Sequence, residues 1–190
     1  MKSEAFNYET LSKVSHFVSS STDLDDTVEH IVHSLRDLLG LKGCALMLLD
    51  RKTEQLEVAA SSGLSQEYLE KGPVSALKSI AQSITEGPVA IYDVTDDPRL
   101  QYPEEAVREG IGSILSVPLT LRNKPVGVLR LYTAEQWNFT ERDLIFTQAV
   151  AEIIALVIDN LRLYKGLKSS IETLKLMRPS RKPEKRTLFE

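Results

Sequence analysis

Arg130 is the residue whose surroundings most demand a chemical explanation. It lies in the run Val126-Gly127-Val128-Leu129-Arg130-Leu131-Tyr132, a charge in the middle of an apolar, strand-like segment. Strand alternation sends Leu129 and Leu131 to one face, toward covering helices, and turns Val126, Val128, Arg130 and Tyr132 to the other. A guanidinium held there needs a carboxylate or an anionic ligand, because burying a lone charge is costly. Glu57, Asp93 and Asp96 are the internal candidates. The ligand reading places Arg130 with Tyr92, Asp93, Asp96, Arg99, Tyr102, Ser113 and Ser116 around a pocket for a small, anionic molecule. The competing reading is a structural salt bridge under a closed pocket.

The other reactive residues point to little catalysis. The chain has one cysteine, Cys44, which excludes an intramolecular disulfide and a multi-cysteine zinc site. No Gly-x-x-x-x-Gly-Lys loop, His-Glu-x-x-His pair or Gly-x-Ser-x-Gly elbow is present. Asp96-Asp97 offers two adjacent carboxylates without a third ligand, which suits a solvated turn better than a metal. No metal site and no catalytic residue are expected.

The elements that must position Arg130 follow from periodicity and punctuation. Residues 9–39 read as two helices broken at Ser19-Ser20-Ser21-Thr22-Asp23, a run of capping residues. In the second helix Leu24, Val28, Ile31, Leu35 and Leu38 share a face. Residues 43–62 read as a hairpin of GCALMLLD and QLEVAASS. A helix is expected from Pro73 to Glu86, closed by Gly87-Pro88. A short strand over 89–92, a turn-rich stretch over 93–99 and a brief helix over 104–109 come next. A second hairpin pairs 113–121 with 125–133.

The last helix opens at Thr140, with Asp143 three residues on in a shortened capping box, and runs to about Met177. Within it Val150, Ile153, Val157, Asn160, Tyr164, Leu167, Ile171 and Leu174 alternate by three and four, a heptad seam. A second set, Ala149, Ile154, Leu156, Ile158, Leu161 and Leu163, widens the apolar arc in the first half, where the helix also packs on the sheet. The seam therefore predicts a homodimer, parallel or antiparallel, with Asn160 fixing register. The alternative is that Leu11, Val14 and Val18 of the first helix cover it.

Composition sets the frame for these sites. The 190 residues are 42% hydrophobic and 26% charged, values ordinary for one globular domain. The tail from 178 to 190 carries five basic residues, two acidic residues and two prolines. Its +3 within a total of −4 leaves −7 on residues 1–177. That balance does not advertise nucleic-acid binding. No unbroken apolar run, Cys44 to Leu49 included, exceeds six residues, so no membrane anchor is expected, and a reducing cytoplasmic setting fits the single cysteine.

The run Gly110-Ile111-Gly112-Ser113-Ile114-Leu115-Ser116-Val117-Pro118-Leu119, then Pro125-Val126-Gly127-Val128-Leu129, then Phe139-Thr140-Glu141-Arg142-Asp143-Leu144, resembles the GAF domain family. Asp93-Val94 with Asp97-Pro98-Arg99 is similar to a loop of that family. The resemblance covers residues 8–165; 166–177 extends the last helix and 178–190 forms the basic tail. It implies an α+β fold: an antiparallel sheet of about six strands, terminal helices on one face, and ligand-pocket loops and short helices on the other.

The resemblance also orders the ligand classes. Cyclic-nucleotide members carry an Asn-Lys pair where this chain has Thr133-Ala134, so cyclic nucleotide is disfavoured. Bilin attachment needs a cysteine at the pocket rim, and Cys44 falls inside the first strand. Haem needs an axial ligand, yet His16, His30 and His33 lie on the N-terminal helices. Free methionine sulfoxide reduction in the family uses several cysteines, and there is one. The expected role is a non-enzymatic sensory or regulatory domain that binds an unidentified small molecule, dimerises and signals to a separate protein. A ligand-free dimerisation scaffold is the alternative, and a nucleic-acid adaptor using the basic tail is the third reading.

Overall fold

The computed structural model describes residue 12 and residues 24–50, 52–53, 55–71, 74–75 and 87–177. The first expected helix with Leu11, Val14 and Val18, the capping run at 19–23, His16, residues 76–86 and the tail from 178 lie outside the described residues.

The elements are α1 (Leu24–Leu39), β1 (Gly43–Asp50), β2 (Gln55–Ser62), α2 (Gln66–Leu69), β3 (Val74–Ser75), β4 (Val89–Ile91), α3 (Pro103–Arg108), β5 (Ser113–Leu121), β6 (Lys124–Thr133) and α4 (Glu141–Met177). The strands form one six-stranded antiparallel sheet in the order β3-β2-β1-β6-β5-β4. Long-range pairing of β1 with β6 places Arg130 on a central strand, between Ala45 of β1 and Ser116 of β5. One expected element differs: Val74 and Ser75 pair with Leu56 and Gln55 as β3, where the helix was expected to begin. A β-branched valine favours the strand.

Period-two alternation divides the sheet into two cores. Cys44, Leu46, Leu115, Val117, Leu119, Leu129 and Leu131 pack under α1 and α4. Ala45, Met47, Ile114, Val128 and Tyr132 face the other way, covered by Tyr68 of α2, Ala106 of α3, Val94 and Ile111. The apolar face of α1 is the expected one, Val28, Ile31 and Leu35, widened by Val32 and Leu39.

Val126 departs from the expected alternation, since it joins the helix-side core. The cause is a bulge: Leu119 pairs with Gly127 but Thr120 pairs with Pro125, so Val126 is the extra residue. From Gly127 onward the parity is regular, which keeps Arg130 on the face opposite α4.

The start of α4 is the anticipated capping box. Thr140 N–H donates to Asp143 Oδ2 at 2.9 Å, and Asp143 N–H donates to Thr140 Oγ1 at 3.3 Å. The helix is apolar on two sides. Val150, Ala151, Ile154, Ala155 and Ile158 are buried against the sheet, chiefly β5. Leu156, Leu163, Tyr164, Leu167, Ile171 and Leu174 are exposed.

This double apolarity bears on the expected lack of a membrane anchor without overturning it. By length and composition Glu141–Leu176 could cross a bilayer, with a mean hydropathy of 1.7 over its most apolar window. Insertion would have to strip Val150, Ile154 and Ile158 from the sheet, exposing the core they cover.

Candidate ligand face

The face of the sheet away from α1 and α4 brings some of the anticipated site residues together. Arg130 and Ser116 are register partners on β6 and β5, both buried, with Arg130 only 4% exposed. Tyr132, two residues along on the same face, meets the Tyr68 ring edge-on with centroids 5.9 Å apart. Lys71 Nζ sits 3.5 Å from the centroid of the Tyr68 ring and 6.0 Å from that of Tyr102, and donates to Tyr68 O at 2.8 Å.

Lys71 and Tyr68 were not foreseen from sequence. They lie in the aperiodic stretch between Gly63 and Pro73, where neither a strand nor a helix pattern ranks one side chain above another. Burial, and then the nearby Arg130 charge, lower the Lys71 ammonium to about 8, against the smaller opposing pull of Glu105 and Glu109. Burial likewise raises the Tyr68 and Tyr132 phenols.

The loop residues behave differently. Asp93 Oδ1 accepts from Thr95 N–H at 2.8 Å and from Thr95 Oγ1–H at 2.7 Å, and its other oxygen accepts from the Gln136 amide. Asp97 accepts from Arg99 Nε–H at 2.8 Å, and Arg99 also donates to Ala90 O at 3.0 Å. Asp93 and Arg99 thus hold their own loop. Asp96 is exposed and Tyr92 exposes half its surface. Tyr102 caps the start of α3 without a side-chain bond to the helix.

Ser113 shares the parity of Leu115, on the helix side of the sheet. It is fully buried, donating to Tyr92 O at 2.5 Å and accepting from Trp137 N–H at 2.7 Å. Ser113→Ala therefore removes a donor and an acceptor at once, and is expected to cost about 2 kcal/mol in urea unfolding. A loss under about 0.5 kcal/mol would mean that this node does not anchor the loop.

Glu57 is not a partner for Arg130. Because Leu56 faces the ligand-side core, Glu57 turns to the helix side, where it is exposed and lines a groove of about 310 Å³ with Leu48, Leu49 and Arg162. Beside the candidate face, Ser65, Glu67, Tyr68, Glu105, Arg108 and Glu109 line about 60 Å³, far below the ~300 Å³ at which small-molecule pockets begin.

Glu109 ties this corner together. Its carboxylate accepts from Ser65 N–H at 2.9 Å, from Ser65 Oγ–H, and from Lys42 Nζ at 3.3 Å. Burial opposes ionisation, but the Ser65 bonds and Lys42 outweigh it and hold the carboxyl below its ordinary value of 4.5. A depressed carboxyl contributes stability that is complete above its unfolded value and lost as pH falls through the folded one. Glu109→Gln is therefore expected to flatten the fall in urea midpoint between about pH 5 and pH 3. An unchanged slope would show that the latch does not contribute.

Cys44 is fully buried in β1, where desolvation raises its thiol, so it offers no accessible thiolate. His30 and His33 are exposed on α1, away from the ligand face. Among the described residues no cluster of three or more His, Cys, Asp or Glu could hold a metal.

The sequence profile of the GAF domain family matches residues 21–159. No curated protein sequence gives a match. Among solved structures, the GAF domain of a phosphoenolpyruvate-protein phosphotransferase from Coxiella burnetii superposes with a TM-score of 0.76 at 18% identity, covering 87% of this chain and 99% of that one. The corresponding Acinetobacter domain gives 0.69 at 22% identity, covering 82% and 93%. Free methionine-R-sulfoxide reductase from Neisseria meningitidis, solved with its substrate, gives 0.73 at 20% identity, covering 86% and 94%. At these identities the superpositions establish the fold, and the profile match establishes the family. The chain belongs to the GAF domain family.

Proposed function

We propose that this domain senses a small molecule on the Arg130 face and dimerises through α4, passing the change to a separate signalling protein. The observation that carries the reading is the two-sided helix. One side of α4 packs on the sheet through Val150, Ile154 and Ile158. The other presents Ile153, Val157, Asn160, Tyr164, Leu167, Ile171 and Leu174, of which the last four apolar residues are more than half exposed. Val150 belongs to the domain core, so the available seam begins at Ile153 and runs about 32 Å to Leu174.

Coupling has a short path. Ser116 and Arg130 face the ligand side, while their neighbours Leu115, Val117, Leu129 and Leu131 touch the helix-side core. A displacement of β5 or β6 by a ligand is transmitted to α4 across one layer of backbone.

Native mass spectrometry and sedimentation of the purified full chain test both halves. A dimer retaining a small molecule supports the reading. A ligand-free dimer that binds nothing on screening leaves the scaffold reading in its place, and a monomer removes the dimer half.

A further inference from the structure

The outward apolar residues of α4 have a symmetry that the heptad seam does not express. Val150, Ala151, Ile154, Ala155 and Ile158 are taken up by the sheet, which leaves Ile145, Ala149, Ile153 and Leu156 along the other side of the first half. Ile145 and Leu156 are 62% and 57% exposed, yet neither belongs to the seam. The second half offers Tyr164, Leu167, Ile171 and Leu174, all more than half exposed.

These two sets mirror one another about Asn160. Leu156 and Tyr164 lie four residues to either side of it, Ile153 and Leu167 seven, and Ala149 and Ile171 eleven. Ile145 and Leu174 come within one residue of the same relation, at fifteen and fourteen. At about 100° per residue they all stay within about 60° of the Asn160 direction, on one stripe. In an unbroken heptad every seam residue has a three-residue step on one side and a four-residue step on the other, so none is a centre. Asn160 has a four-residue step on both sides.

We propose that α4 pairs with α4 of a second copy in the antiparallel sense, about a two-fold axis that passes at Asn160. The proposal rests on the dimer reading above and gives it an orientation and a register. Such an axis carries each residue onto the position equally far beyond it, so Leu156 meets the partner's Tyr164, Ile153 meets the partner's Leu167, and each contact occurs twice. Asn160 meets its own mate, where each amide can donate to the other's carbonyl oxygen.

Charge runs the same way. Residues 141–160 carry Glu141, Asp143, Glu152 and Asp159 against Arg142, a net −3. Residues 161–177 carry Arg162, Lys165, Lys168 and Lys175 against Glu172, a net +3. Antiparallel pairing lays each acidic half along a basic one, whereas parallel pairing lays like on like. Residues 162–176 are exposed throughout, and the partner's first half supplies the apolar face they lack. Coupling is then crosswise, because the second half of one α4 rests on the stretch of its mate that packs on the mate's own sheet.

Pulsed electron paramagnetic resonance on the full chain, nitroxide-labelled at Ser170→Cys, tests the orientation. Ser170 is exposed and off the stripe, and the fully buried Cys44 takes no label. With each label ten residues beyond the axis, the two are expected about 30 Å apart along the helices, against less than about 20 Å for parallel pairing in register. Mixed chains bearing Ala149→Cys and Ile171→Cys test the register. Oxidation is expected to link the two variants to each other and neither to itself. A label distance under about 20 Å in a sedimenting dimer, or a disulfide between two copies of Ile171→Cys, overturns the antiparallel pairing and leaves the dimer. A dimer in which the mixed link does not form overturns the axis at Asn160. A monomer overturns both the pairing and the dimer reading beneath it.

Discussion

Leu167→Glu is expected to sediment as a monomer at concentrations where the unmodified protein is a dimer. Leu167 is 64% exposed in the isolated chain, so a glutamate there disturbs no core contact and the monomer should keep its fold, with an unfolding midpoint lowered only by the loss of association. In the dimer the same residue is buried twice, once from each chain. Losing about 2 kcal/mol of apolar burial per copy amounts to about 4 kcal/mol, or roughly three orders of magnitude in the dissociation constant, before any cost of burying the carboxylate. Lys165→Glu, on the opposite side of the helix, should leave association intact. A Leu167→Glu protein that remains dimeric would place the interface elsewhere, and an unmodified protein that is monomeric would remove the interface altogether.

The exposed apolar stripe of α4 was legible because it depends on a period, and periods are written along the chain. The same holds for both hairpins and for the Thr140–Asp143 box, whose residues lie close in sequence. The pairing of β1 with β6, some eighty residues apart, was not foreseen, since no local pattern specifies it.

The candidate face around Arg130 was half legible. Arg130 announced itself as a charge in an apolar strand. Lys71 and Tyr68 carry no such contrast with their neighbours, and tertiary contact alone brings them to it. Ser113 and Glu57 were misjudged as neighbours of Arg130 for opposite reasons. Ser113 is polar at a helix-facing position because it bonds two backbone groups there, and Glu57 sits on a strand whose facing cannot be fixed by its mixed neighbours Leu56 and Val58. Val126 escaped the alternation rule because the bulge that reorients it is set by its partner strand.

That bulge also explains why Gly127→Ala should be among the most damaging small substitutions in the protein. Gly127 is the first regular pair after the extra residue, opposite Leu119 on one side and Leu48 on the other. A Cβ built there would lie 2.3 Å from Met47 O, a backbone atom that cannot swing away like the end of a side chain. Relief requires β1 to separate from β6, or the bulge to slip, and a slip would turn Arg130 into the helix-side core. The expected cost is about 3 kcal/mol or more, a fall of roughly 6–12 °C in Tm for a domain of this size. Gly166→Ala provides the contrast, because nothing lies within 4 Å of its Cβ position. There alanine should favour α4 by up to about 1 kcal/mol, through lower backbone entropy in the unfolded chain. If both variants melt together with the unmodified protein, β1 and β6 are not in the close register on which the position of Arg130 depends.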